Sequence, residues 1–222
     1  MTPPAILDPS GKPRLRGVSH QWAFYVSLLT GLLLVVFAPR GTATLAAAIY
    51  SVSVAALFGT SALYHRINWK TIGARRWMRR LDHSMIFVLI AGTYTPFALV
   101  ALHGALATAI LIVVWSGALA GVALQLIWAD APRVVSAIVY IALGWVAIAA
   151  YPQMVDNVGV TGTALVTVGG HLYSAGAVIY ALQRPDPVPK VFGYHEIFHV
   201  LVIAAAALHY AVVAFIVLPG AA

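Results

Sequence analysis

The 222-residue chain has no cysteine and few charges, with 13 Lys and Arg, 6 Asp and Glu, and 9% charged residues in all. Each shortage excludes something. Without thiols there is no disulfide framework and no thiolate metal centre, so any metal must be held by His, Asp or Glu. Soluble domains carry roughly 25% charged residues. With 62% hydrophobic residues and so little charge, a soluble fold of this size could not cover its apolar surface. The solvent must be lipid for most of the chain. Acidic groups are scarcer than basic ones, which leaves a formal net charge of +7. The basic residues fall between apolar runs. That placement reads as membrane orientation and contact with anionic lipid headgroups, not as a nucleic-acid surface. No cleavable signal peptide is evident either. The first apolar run starts near His20, behind Pro3, Pro4, Pro9 and Pro13, and no small-residue cleavage pattern follows it. Residues 1–19 are expected to form a mostly irregular cytoplasmic tail.

What the chain has in abundance is apolar runs. A membrane span needs about 20 such residues. The candidates are His20–Ala38, Thr42–Tyr64, Asp82–Leu102, Ala105–Trp128, Val134–Tyr151, Thr161–Gln183 and Tyr194–Leu218. The expected fold class is therefore an all-α integral membrane protein, one seven-transmembrane helix bundle over residues 20–218. Basic residues then fall on alternate sides. Lys12, Arg14, Arg16, Arg66, Lys70, Arg75, Arg76, Arg79, Arg80, Arg133, Arg184 and Lys190 share one side, and Arg40 stands alone on the other. The positive-inside rule makes the crowded side cytoplasmic, with the N-terminus inside and the C-terminus outside. The basic connection from Arg66 to Arg80 interleaves Trp69, Trp77 and Met78 and reads as an interfacial segment. Gly117 and Gly121 form a G-x-x-x-G, read as ordinary helix packing in preference to a dimer seam.

Ionisable groups inside a membrane are costly, which makes them functional candidates. Ser61 and His65 are an i, i+4 pair at the end of the second span. Asp82 opens the third, and His195 and His199 are a second i, i+4 pair at the start of the seventh. Residues four apart share a helix face. The alternation of spans puts all five at one membrane face. Three imidazoles and a carboxylate suit zinc, whose catalytic sites use three protein ligands and leave one position open. Zinc supplies Lewis acidity and lowers the pKa of water to about 7. Asp82 could take or orient a proton, and Ser61 could hydrogen-bond a ligand or a substrate oxygen. His20, His103 and His209 read as ordinary polar residues of the bundle, and His171 as a helix-to-helix hydrogen-bonding residue. His83 points about 100° away from Asp82. The string His195-Glu196-Ile197-Phe198-His199 also matches H-E-x-x-H, which would make Glu196 the general base of a metalloprotease. A Glu in a first helical turn equally complements the helix dipole.

At these residues the chain resembles the hemolysin III branch of the progestin and adipoQ receptor family, within a wider group that includes alkaline ceramidases. The blocks are Ser61-Ala62-Leu63-Tyr64-His65, Leu81-Asp82-His83-Ser84, Ala91-Gly92-Thr93-Tyr94-Thr95-Pro96, Gly169-Gly170-His171-Leu172-Tyr173-Ser174-Ala175-Gly176, and Phe192-Gly193-Tyr194-His195-Glu196-Ile197-Phe198-His199-Val200 continuing to His209-Tyr210. They cover the second, third, sixth and seventh spans. The resemblance implies seven helices with a cytoplasmic N-terminus. It implies zinc at His65, His195 and His199, with Asp82 contacting it through water and Ser61 nearby. It carries no role for His171, and the family varies at the position of Glu196. The function expected is a zinc-dependent hydrolase acting on a lipid amide, ceramide-like, at the cytoplasmic leaflet of a bacterial inner membrane. Three alternatives stay open: a cytolytic or pore-like membrane protein, a receptor-like protein with structural zinc, and the H-E-x-x-H protease.

Overall fold

The computed structural model describes residues 12–128 and 131–221, so most of the expected tail, residues 1–11, lies outside the described residues. The described chain is all helical. Helix α1 is Val18–Phe37 and α2 is Thr42–Arg66. Helix α3, Ile72–Pro96, runs on through a π turn at Phe97–Ala101, and α4 is Gly104–Ile127. Helix α5, Arg133–Gly144, continues as a 3-10 stretch, Trp145–Ala150, into α6, Tyr151–Leu182. Helix α7, Tyr194–Val212, ends in a second π turn at Val213–Val217.

Among the described residues, six helices are long and apolar enough to cross a membrane. One of them, Arg133–Leu182, counts 50 residues. Straight, it would measure about 75 Å, more than twice the roughly 30 Å of a hydrocarbon core. It is not straight. Gly159 sits at φ 78° and ψ 166°, a backbone conformation that interrupts the helix and that glycine tolerates. On either side of that break the two arms touch. Trp145 Nε1 donates to Ser174 Oγ at 2.9 Å, and the Trp145 ring stands edge-on to His171 at 4.9 Å.

Helix α1 turns its largest apolar side chains outward. Helix α1 buries His20, Ser27, Gly31 and Leu34 and exposes Leu28, Leu29, Leu32, Val36 and Phe37. In lipid the apolar face gains nothing by turning inward, so small and polar residues take the helix contacts. Glycines mark the close approaches. A side chain at Gly31 would meet Ser51, at Gly117 Leu143, and at Gly121 the Phe87 ring. Gly117 and Gly121 thus pack within the bundle. A Cβ at Gly92 would lie 2.5 Å from Ser53 Cβ, where α3 crosses α2. Gly92→Ala is expected to lower stability by about 1–3 kcal/mol through overpacking. Thermal unfolding in detergent measures this, and an unchanged midpoint would mean that the two helices are free to separate.

The basic connection differs from its expected form. Helix α3 starts at Ile72, well before Asp82, with the Thr71 side chain accepting the Ala74 N–H at 3.1 Å as an N-cap. Arg75, Arg76, Arg79 and Arg80 therefore lie on the first turns of a helix, and Arg80 covers the Trp77 ring at 5.1 Å. The N-terminal segment folds back onto the connection before α7, where Arg14 N–H bonds Lys190 O at 3.0 Å and Leu15 N–H bonds Val191 O at 3.2 Å. Arg66 Nε bonds Gln21 Oε1 at 3.1 Å. The start of α1, the end of α2 and the start of α7 so meet at one basic end of the bundle. At the opposite end His103 N–H bonds Gln153 Oε1 at 3.0 Å, and Asn157 Nδ2 bonds Ala101 O at 2.9 Å.

Candidate metal centre

Three of the expected residues come together. His65 sits in the last turn of α2, and His195 and His199 fill the first two turns of α7. Each offers a nitrogen, and these atoms all lie within 4.8 Å of one another. His65 Nε2 and His195 Nε2 are 3.1 Å apart. The His199 ring lies 4.6 Å from that of His195 and 5.1 Å from that of His65. All three are buried, and His199 Nδ1 has no hydrogen-bond partner among the described residues. A tetrahedral zinc with Zn–N bonds of about 2.0–2.1 Å spaces its ligand nitrogens about 3.3 Å apart. The trio fits that spacing after small side-chain adjustments. These three buried histidines could hold a metal ion.

Asp82, on α3, is buried beside them with Oδ2 3.7 Å from His65 Nε2. That separation is longer than a direct hydrogen bond. Ser61 is buried one turn before His65, and its Oγ lies 2.8 Å from His20 Nδ1. His20 was not expected here. Its ring stacks on His199 at 3.7 Å with an interplanar angle of 12°, and its edge meets Phe58 at 5.1 Å. The signal was available, because the start of the first span lies at the same end as the other four residues. What the sequence could not supply was the rotation of α1 that turns His20 inward. Residues that orient metal-ligating side chains typically contribute 10–100-fold in affinity. His20→Leu is accordingly expected to keep one metal per chain but to weaken binding about 10–100-fold in a chelator competition. An unchanged affinity would make the stack mere packing.

The other histidines stay apart. His83 Nε2 pairs with Tyr180 Oη at 3.2 Å. His171 Nδ1 reaches the Thr167 carbonyl of its own helix at 2.8 Å, and His209 Nε2 reaches Val166 O at 3.0 Å. Glu196 is fully engaged. Its Oε1 accepts from Arg16 Nε at 2.5 Å and its Oε2 from the Gly193 N–H at 2.8 Å. A carboxylate bound at both oxygens, one of them to a guanidinium, is an anchor for the helix start and a poor general base. The same N-terminal segment presses on the site from above. Gly17, at φ 76°, is so close that a Cβ there would lie 2.5 Å from His65 Cβ.

The cluster opens into a cavity of about 400 Å³. Leu57, Ile86, Leu89, Ile90 and Val202 give it an apolar wall, and it reaches as far as Trp145, Tyr173 and His209. A family profile described as haemolysin-III related matches residues 10–210. The chain belongs to that family. It is 32% identical over 207 residues to Hemolysin-3 of Bacillus cereus, covering 92% of this chain and 91% of that one. The Hemolysin-3 homolog of Bacillus subtilis (strain 168) is 32% identical over 201 residues, or 89% and 91% of the two chains. A more distant similarity, 26% over 165 residues, joins it to the human monocyte to macrophage differentiation factor, with 73% of this chain and 66% of that one aligned. Family membership and the six apolar helices together make this haemolysin-III relative a multi-pass membrane protein.

Proposed function

We propose that this haemolysin-III relative is a zinc-dependent hydrolase of a lipid amide, ceramide-like, working at the cytoplasmic leaflet of a bacterial inner membrane. The observation that carries the reading is the trio of buried imidazoles, nitrogens within 4.8 Å, beside Asp82 in an apolar-walled cavity. Seven spans are part of the proposal. The break at Gly159 would divide Arg133–Leu182 into an outgoing and a returning crossing. The basic end is then cytoplasmic, with the N-terminus inside and the C-terminus outside.

In this reading His65, His195 and His199 hold zinc, and Asp82 is the proton-handling group beside it. The metal would supply Lewis acidity to a carbonyl and a more acidic water. Asp82 Oδ2 would accept a proton from the attacking water and return it to the leaving amine. His20 and Ser61, bonded to one another, would keep the His199 ring in place from behind. The apolar wall would receive the acyl chain and exclude bulk water. The test is fatty-acid release from a panel of lipid amides and esters by the purified, zinc-loaded protein. Release is expected from the wild type and none from Asp82→Ala. A panel with no release, or equal release by the variant, would refute the hydrolase.

A second reading has one observation behind it, since the Bacillus relatives carry the name Hemolysin-3. A cytolytic protein would leak dye from liposomes, and that leakage would survive loss of all three histidines.

A further inference from the structure

The cavity that opens from the histidines has a second polar end. Along α7 its lining runs from His199 through Val202 to His209, polar, apolar and polar again. His199 and His209 are ten residues apart, which sets the two ends about 15 Å from one another along the helix. Between them Leu57, Leu89 and Val202 form an apolar belt, against which the Tyr173 ring packs. Tyr173, on α6, stands edge-on to His209 with ring centroids 5.5 Å apart. Both residues line the cavity. The Tyr173 hydroxyl and His209 Nδ1 are buried, and neither has a hydrogen-bond partner among the described residues. An unpaired buried polar atom is costly, and lipid has nothing to offer it. Other polar groups at the same end are satisfied. Trp145 Nε1 and Ser174 Oγ, whose residues also line the cavity, are bonded to one another at 2.9 Å.

The two unpaired atoms have complementary chemistry. His209 Nε2 faces the Val166 carbonyl at 3.0 Å, and a carbonyl can only accept. The ring proton therefore sits on Nε2, and Nδ1 is left as an acceptor. Gly169 gives the ring its place, because any side chain there would meet His209 Nε2. The Tyr173 O–H has no bond to hold it, so it can rotate towards an incoming group. One alcohol answers both: its O–H donates to His209 Nδ1 and its oxygen accepts from Tyr173. A carboxylate would bring Nδ1 no proton, and a methyl end would satisfy neither atom. Bonds of about 1.5 Å in a zigzag chain advance about 1.25 Å per carbon, so about twelve carbons span the distance from His199. We propose that the inner end of the cavity binds a hydroxyl group carried on the ligand's hydrocarbon chain, roughly a dozen carbons from the head that sits at the histidines. In the hydrolase reading, on which it rests for the end that meets the metal, this makes a hydroxylated acyl chain the substrate class.

The experiment measures binding alone, with ligands that hold no bond to hydrolyse. The full chain, as purified in an uncharged maltoside detergent, is titrated with 12-hydroxydodecanoic acid, 3-hydroxydodecanoic acid and dodecanoic acid. Native mass spectrometry counts bound molecules, and tryptophan fluorescence, with Trp145 lining the inner end, follows affinity. One 12-hydroxydodecanoic acid per chain is expected, bound about tenfold tighter than either of the others, the scale of one to two net hydrogen bonds. Tyr173→Phe should bring the three acids within about threefold of one another. That variant should melt no lower than the wild type, because the hydroxyl removed satisfies nothing in the protein. Equal binding of 12-hydroxydodecanoic and dodecanoic acid would mean that the inner end takes a water only, and would overturn the proposal. So would equally tight binding of the 3-hydroxy isomer, a preference that survives in Tyr173→Phe, or a lower melting temperature of that variant. The hydrolase reading fails by a different result, an absence of fatty-acid release, so either can stand without the other.

Discussion

Purified wild-type protein is expected to carry one zinc per chain, and His199→Ala none above background. The expectation follows from the geometry of the trio. His199 is the most deeply buried of the three at 1% exposure, and its Nδ1 has no partner among the described residues. Removing it leaves His65 and His195, whose Nε2 atoms can then simply share a proton across 3.1 Å. Two imidazoles that satisfy one another have little reason to recruit a cation. Elemental analysis after size-exclusion chromatography decides the matter. A full equivalent of zinc in the variant would remove His199 from the ligand set. Stability should follow occupancy, since a ligand present at about a thousand times its dissociation constant stabilises by about 4 kcal/mol. Chelation should therefore lower the melting temperature of the wild type and leave that of His199→Ala unchanged. Equal shifts in both would point to metal bound elsewhere.

The second large effect concerns the ion pair between Arg16 and Glu196, which ties the N-terminal segment to the start of α7 across 180 residues. Glu196 is 2% exposed, so removing its partner strands a buried carboxylate. Arg16→Met is expected to destabilise the protein by about 3–5 kcal/mol, the range for a broken buried pair. Arg16→Met combined with Glu196→Gln removes the stranded charge and should recover most of that loss, because the amide oxygen can still accept the Gly193 N–H. Chemical or thermal unfolding of the two variants side by side provides the comparison. Equal destabilisation would show that the N-terminal segment is held by its backbone bonds to Lys190 and Val191 and not by the charge pair.

Much of the candidate site was legible because lipid makes composition speak plainly. In an apolar run every ionisable residue stands out, and the i, i+4 spacings of Ser61 with His65 and His195 with His199 give their common faces without any tertiary information. The alternation of basic connections then brought the end of α2 and the start of α7 together. Three things were hidden. His20 required the rotation of α1 about its axis, which small-residue contacts such as Gly31 on Ser51 set. The partner of Glu196 lay at the far end of the sequence, so its H-E-x-x-H context suggested chemistry where the structure shows anchoring. The arginines of α3 looked like a connection because charge density resembles a loop. Thr71 caps a helix there, and its first turns carry all four arginines, Arg75, Arg76, Arg79 and Arg80.

The positions of the three clustered histidines also bear on how the protein is made. His65 lies on the second helix, and His195 and His199 lie on the last, 130 residues later at the nearest pair. A ribosome delivers the first imidazole to the membrane long before the other two exist. Until α7 has been inserted, the growing chain has only one imidazole of the trio, His65. If the trio holds a metal, loading would come after translation has passed α7, and a chain stalled or clipped before that point would emerge empty. Occupancy of the centre would so report complete biosynthesis, giving the cell a chemical mark that separates finished copies from fragments.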